Sequence, residues 1–470
     1  MSTRRILFVC YIQNPFNPFF YPPIGILYLS SIAKQKGYST SLFELHDPDL
    51  GVDNIDTFFK YLNEYNPDIC AFSFYTPAAL RIFNIIPQIK AKRPKCHIIV
   101  GGPHANALPM QTMEDCKEID FLVYGEGEST FNEFLDALEN KKTFFHIKGL
   151  VFRHENEIIC NEKRELIENL DTIPFPDYEL VKDQHYSDIY QLGNRVMSIV
   201  SSRGCPFNCN FCSKLTFGSQ YRRRSPSNVV REIKILRDNY HIDDITFCDE
   251  LFGMDKKWME DFYVELENNR VKIKWKCMTR VDILRKKDFI KMKKHGCYAV
   301  GLGIESGNNN VLQDINKKIN RKQIQEACKD VTDAGLTTIG YFILGHKTDD
   351  YQSIKQTLNF PKELNLDFVI FSLLTPYPGT QIYSYLPNEV KYDWRKFNPI
   401  HPINISQIDS EDLQSFLFQG NEVVLYKRLK YLWGNVILSK DHFKTKKLKF
   451  LHWLNAMRNS GSTRPKVVIP

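Results

Sequence analysis

Short apolar runs alternate with amphipathic stretches of helical length in two successive series along this chain, and few folds accommodate that alternation. In the first series the strand candidates are Ile6–Cys10, Ser39–Glu44, Ile69–Phe74, His97–Val100 and Phe121–Tyr124. Helical patterns lie between them at Ile24–Lys36, Asn54–Glu64, Ala79–Lys92 and Ser129–Glu139. Strands separated by helices of that length imply a parallel sheet covered on both faces. The second series has strands at Ser198–Ser201, Ile245–Cys248, Lys274–Thr279, Ala299–Gly303, Thr338–Ile343 and Phe368–Leu373, again with helices between. Six such units in a row predict a curled parallel sheet, a partial barrel.

The boundaries follow from where the alternation stops. Residues 1–145 form a first domain and 193–390 the barrel. Residues 146–192 are charged and broken by Pro174 and Pro176, with a hairpin around His154–Asn156, and read as a linker. Residues 391–470 read as a helical, basic C-terminal cap. The formal net charge is +7, and residues 421–470 alone hold eleven Lys/Arg against Glu422 and Asp441. The rest of the chain is therefore close to neutral, which excludes a nucleic-acid-binding body. No apolar run is long enough to span a bilayer, and the N-terminal run Ile6–Tyr11 is a strand, not a leader. A cytoplasmic protein is expected by elimination.

Nine of the twelve cysteines are scattered, as small buried hydrophobes are. The other three, Cys205, Cys209 and Cys212, fall in Ser201-Ser202-Arg203-Gly204-Cys205-Pro206-Phe207-Asn208-Cys209-Asn210-Phe211-Cys212, just after the first barrel strand. A loop with that spacing can turn three sulfurs to one side. Thiolates suit zinc or an iron–sulfur cluster. Zinc wants a fourth ligand, and no second CxxC or nearby HxxxH supplies one. Three ligands on a four-iron cube leave one iron open.

This CxxxCxxC loop, with an aromatic before its last cysteine, resembles that of the radical S-adenosylmethionine (SAM) superfamily. Further segments match in order: Arg222–Ser225, Thr246–Phe252, Met278–Asp282, Gly301–Gly307 and Thr375–Thr380. One departure stands at Gly345-His346-Lys347-Thr348-Asp349-Asp350, where the family often has Gly-Leu-Pro-Gly-Glu-Thr. That segment is expected to tune the substrate pocket instead. In the first domain, Pro22–Leu29, Val100–His104 and Tyr124–Glu128 resemble the cobalamin-binding domain found ahead of many radical SAM domains. The fold class implied is α/β: a flavodoxin-like (Rossmann-type) cobalamin-binding domain, a partial (β/α)6 TIM-like barrel and a helical cap.

The resemblance implies three cofactors. A [4Fe–4S] cluster would sit on Cys205, Cys209 and Cys212. SAM would be held by Phe211, Asp249, Glu250, Arg280 and Glu305, acids at strand ends taking its ammonium or ribose hydroxyls and Arg280 its carboxylate. Cobalamin would lie on Ser73, Thr76, Gly101, Gly102, His104, Gly125 and Glu126, mostly small residues that make room for it. The loop after the first strand has no histidine for cobalt, so the metal is expected without a histidine ligand. Tyr11 or Tyr75 would cover its lower face, and His104 would pack or touch the corrin rim.

The reaction implied is methylation of an unactivated carbon, through a 5′-deoxyadenosyl radical and methylcobalamin. The alternative within the same chemistry is ring formation or oxidation. The alternative of another class is a cobalamin-binding sensor, against which three intact cluster cysteines argue. The expected partners are a small-molecule or lipid-like substrate and an electron donor of flavodoxin or ferredoxin type. Residues 423–458 carry helical apolar periodicity with lysines between, and suggest peripheral contact with an anionic membrane.

Overall fold

The computed structural model describes residues 4–12, 19–46, 54–184, 186–188, 190–397 and 403–420. The first series folds as expected, into the parallel strands β1 Arg5–Ile12, β2 Ser39–His46, β3 Ile69–Ser73, β4 His97–Gly101 and β5 Phe121–Val123. Helices α1 Ile24–Gln35, α2 Ile55–Tyr65 and α3 Ala79–Lys92 connect the first four, the short helical turns Pro103–Ala107 and Pro109–Asp115 lead into β5, and α4 Gly127–Glu139 follows it. Two apolar clusters flank the sheet, one around Leu7, Val9, Phe72 and Val100 and the other around Ile6, Phe8, Ala71 and Ile99. The alternation of partners along β1 is the two-residue period of a strand buried on both faces.

One boundary moves. The hairpin in the predicted linker consists of β6 Leu150–His154 and β7 Glu157–Cys160, which add antiparallel to β5. The sheet order is β2-β1-β3-β4-β5-β6-β7, so the first sheet reaches Cys160 and does not stop near residue 145. The apolar triplet Leu150–Phe152 is fully buried, which charged neighbours in the sequence obscured. Order reverses between β1 and β3, and their carboxyl ends form the crevice where such sheets take ligands.

The second sheet has the order β8 Val196–Ile199, β9 Asp244–Phe247, β10 Lys274–Arg280, β11 Cys297–Glu305, β12 Thr337–Leu344 and β13 Phe368–Leu373, all parallel. Residues such as Ile245, Phe247, Trp275 and Leu302 point outward onto the helices, where they form the largest apolar cluster. Six neighbours in sequential order, each followed by a helix, are the partial barrel expected.

The segment after the barrel does more than cap it. Trp394 and Phe397 pack into the first domain's core, and the Trp394 indole N–H donates to Asp115 at 2.6 Å. Residues 410–420 are helical, and Leu413 packs on the barrel core. The basic stretch 423–458 lies outside the described residues. No helix among the described residues is long and apolar enough to cross a membrane.

Candidate active site

Gly204 opens the cluster loop. Its φ is +86°, and a Cβ there would come within 2.2 Å of the Gln220 carbonyl oxygen, so only glycine allows the turn. The root of the loop is an antiparallel ribbon in which Ser202 and Arg203 pair with Arg223 and Arg222. The loop itself lies against β10 and the turn after β11. Arg280 stacks on the Phe207 ring, 3.7 Å from its centroid, and turns one N–H toward Cys209 Sγ at 3.7 Å. Cys205 and Cys209 are half-buried and Cys212 is exposed.

Among the described residues no group of His, Cys, Asp or Glu is arranged to hold a single metal ion. The three thiols nevertheless sense one another: Cys212 is pushed up to about 11 by burial and then by Cys209 and Cys205. Burial also raises Cys209, against the pull of Lys317 and Arg280. Three interacting thiols beside two cations fit an anionic cluster.

The carboxylates divide by what they already hold. Asp249 is buried and accepts the Ser201 N–H at 2.7 Å and the Ser202 hydroxyl at 2.6 Å, besides the Ser201 hydroxyl. Both of its oxygens thus already hold the end of β8, where SAM contact was expected. Glu250 accepts the Gly204 N–H at 2.6 Å through one oxygen, and its side chain is exposed at the mouth. Burial still raises its carboxyl.

Arg280 also departs from its expected role. Its fork engages Asp282 through two bonds of 2.9 Å and the Lys317 carbonyl at 2.6 Å. The guanidinium therefore braces the cluster loop, with Nη1 turned toward the cysteines. Glu305 ends β11 at a bulge, with φ +67°. A non-glycine residue there costs about 1–3 kcal/mol. It is buried and paired with Lys317 Nζ at 2.7 Å, beside Gly303.

Lys317 escaped the sequence reading. It sits in a polar turn between Asn316 and Lys318, both of positive φ, where one lysine looks like another. His346 is fully buried, edge-on to Phe211 at 5.8 Å, and its Nε2 has no protein partner. Burial and Lys317 lower it to about 3, so the ring is neutral. The departing Gly345–Asp350 segment closes its turn with Asp349, which accepts the N–H groups of Gly345 and His346 at 3.0 and 2.9 Å.

In the first domain Ser73, Gly101, Gly102 and Gly125 line the carboxyl ends of β3, β4 and β5. Gly102 has φ +91°, and a Cβ would strike the Phe74 N and Ser73 Oγ at 2.8 Å, whereas one at Gly125 would meet open space. A close backbone approach beside open room fits a large ligand entering the sheet. Thr76 and His104 do not face it. His104 is sealed by Phe74, Phe83 and Trp394, with Nδ1 at 3.1 Å from the Thr76 hydroxyl, and burial lowers it to about 4. Glu126 is likewise spent: Arg203 and Arg222 lie 3.0 and 2.9 Å from its carboxylate, which also accepts the Ile167 N–H at 2.6 Å. Glu128 pairs with Arg203 as well. Tyr75 projects from the end of β3 with 66% of its surface exposed.

A thiol loop at a barrel mouth, facing a doubly wound sheet with a glycine-lined crevice, defines a two-domain cofactor enzyme. Comparison with known proteins agrees. The radical SAM superfamily model matches residues 199–360 and the B12 binding domain model residues 18–135. An uncharacterized methyltransferase of Pyrococcus horikoshii is 33% identical over 417 residues, 87% of this chain and 89% of that protein. The anaerobic magnesium-protoporphyrin IX monomethyl ester cyclase of Cereibacter sphaeroides is 29% identical over 82% of this chain and 63% of its own length. The radical SAM methyltransferase TsrM of Kitasatospora setae superposes with a TM-score of 0.65 at 16% identity, over 81% of this chain and 75% of that one, and shares the fold. The chain belongs to the cobalamin-dependent radical SAM enzymes, whose cofactors are a [4Fe–4S] cluster, SAM and cobalamin.

Proposed function

We propose that this enzyme is a C-methyltransferase acting on an unactivated carbon of a small molecule. The observation that carries the reading is the placement of the thiol loop and the glycine crevice on facing carboxyl ends of two sheets, locked by buried ion pairs. When bound, the cluster with SAM supplies a carbon-centred radical and cobalamin carries the methyl group.

Cys205, Cys209 and Cys212 hold the cluster, and Arg280 and Lys317 offset its negative charge. The free oxygen of Glu250 takes the SAM ammonium, and Glu305, aimed by its bulge and by Lys317, takes the ribose hydroxyls. Phe211 shapes the wall against which the nucleoside lies. Ser73, Gly101, Gly102 and Gly125 give cobalamin its room. The Glu126–Arg203–Arg222 knot fixes the spacing between the two cofactors, because radical transfer demands alignment more than affinity. An electron donor of flavodoxin or ferredoxin type and contact of the basic tail with an anionic membrane belong to the same reading.

Ring formation remains the second reading, favoured by the relative named a cyclase. SAM carrying a deuterated methyl group separates the two. Methylation moves that label into a product heavier by one methyl-for-hydrogen exchange, and ring formation leaves the product unlabelled.

A further inference from the structure

β1 and β3 lie side by side at the reversal of strand order, with Cys10 opposite Ser73. Two residues beyond Ser73, the chain sends out Tyr75, between Phe74 and Thr76, which are 1% and 5% exposed. The Tyr75 ring, at 66%, is the most exposed large apolar side chain among the described residues. Its hydroxyl senses both Cys10 at the end of β1 and Cys248, which follows β9 of the barrel. The phenol therefore stands between the carboxyl ends of the two sheets.

Other first-domain candidates are placed differently. Tyr11 packs against the core cluster beside the sheet. His104 is sealed under Trp394. His46 ends β2, on the far side of β1 from the reversal. A large aromatic ring left uncovered at a ligand crevice lacks an apolar partner, and a flat macrocycle supplies one.

Resting on the cobalamin reading above, we propose that Tyr75 covers the lower face of the corrin, so that its ring keeps water and nitrogen bases off the cobalt. A neutral phenol is a poor donor, so the ring acts by exclusion and the metal is left without a lower ligand. Tyr75 is thus a positioning residue toward the cofactor.

The test uses the full chain loaded with hydroxocobalamin, reduced to cob(II)alamin and examined by electron paramagnetic resonance in water and in ¹⁷O-labelled water. The wild type should show neither nitrogen splitting nor ¹⁷O broadening. Tyr75→Phe should match it, because the ring does the covering. Tyr75→Ala should keep cobalamin, by its absorbance, and gain ¹⁷O broadening as water reaches cobalt. A Tyr75→Ala spectrum identical to the wild type, or a wild type already broadened or nitrogen-split, would overturn the proposal. A wild type that retains no cobalamin overturns the cofactor reading instead.

Discussion

Arg203, two residues before the first cluster cysteine, lies 3.0 Å from Glu126 at the carboxyl end of the first sheet, and both side chains are almost wholly buried. The pair ties the cobalamin crevice to the root of the thiol loop, and Arg222 and Glu128 complete a four-charge knot. The ring systems of Tyr28 and Phe217 lie against the Arg203 guanidinium and exclude water. Removing one member leaves the opposite charge buried, which costs about 3–5 kcal/mol. Glu126→Gln is therefore expected to lose stability in that range in urea unfolding. A loss under about 1 kcal/mol, the scale of exposed pairs, would deny the knot its anchoring role.

Cluster assembly depends on three thiols and no more. Replacing Cys205, Cys209 or Cys212 with Ala should remove the iron–sulfur absorbance and the reductive cleavage of SAM after anaerobic reconstitution. Cys248→Ser should retain both, although Cys248 is also exposed near the mouth. Deoxyadenosine formed at wild-type rate by Cys209→Ala would remove this loop from the chemistry.

Two neutral buried histidines make the fold sensitive to acid. His104 is lowered to about 4 and His346 to about 3, both by burial first. The unfolded chain binds their protons near pH 6.5, so it takes up more protons than the native state below that pH. The stability contributed by these two histidines therefore falls as pH drops from about 6.5 to 4. Asp349, raised to about 6 by burial, acts in the opposite sense, as do the carboxyls of Glu44, Asp244, Asp249 and Glu250, which burial also raises. His104→Leu should reduce the difference in unfolding free energy between pH 7 and 5 by about 2 kcal/mol. An unchanged difference would show that His104 is already charged or exposed. The same variant should leave the cobalt spectrum unaltered.

The strands and helices were legible because their apolar period is a local property. Ala79–Lys92 and Phe368–Leu373 match the sequence reading residue for residue. The cluster cysteines were legible because the spacing itself is the chemistry. What the sequence could not separate was an acid that holds the frame from one left free for a ligand. Asp249 and Glu250 are adjacent, yet one is consumed by Ser201 and Ser202 and the other keeps an oxygen open. Glu126 looked like a crevice residue beside Gly125, and its arginine partners lie 77 and 96 positions away. Lys317 had no signal at all, since only the turn geometry brings it to Glu305.

Much of the positive charge lies beyond the described fold. Residues 421–470 carry eleven Lys/Arg against two acids, interleaved with Trp433, Phe443, Phe450 and Trp453. Basic and aromatic residues mixed in this way favour an anionic bilayer surface, where each cation contributes on the order of 1 kcal/mol. Even half of the surplus charge would hold the protein measurably to such a surface at low ionic strength. The attraction acts through solvent, so it must weaken as the screening length falls. Co-sedimentation with liposomes containing anionic lipid is expected at low salt, with release at high salt and little binding to neutral liposomes. Changing Lys444, Lys446, Lys447 and Lys449 to Gln should reduce binding at least tenfold. Equal sedimentation with neutral liposomes, or unchanged binding by the four-residue variant, would assign those lysines to ordinary solvated surface.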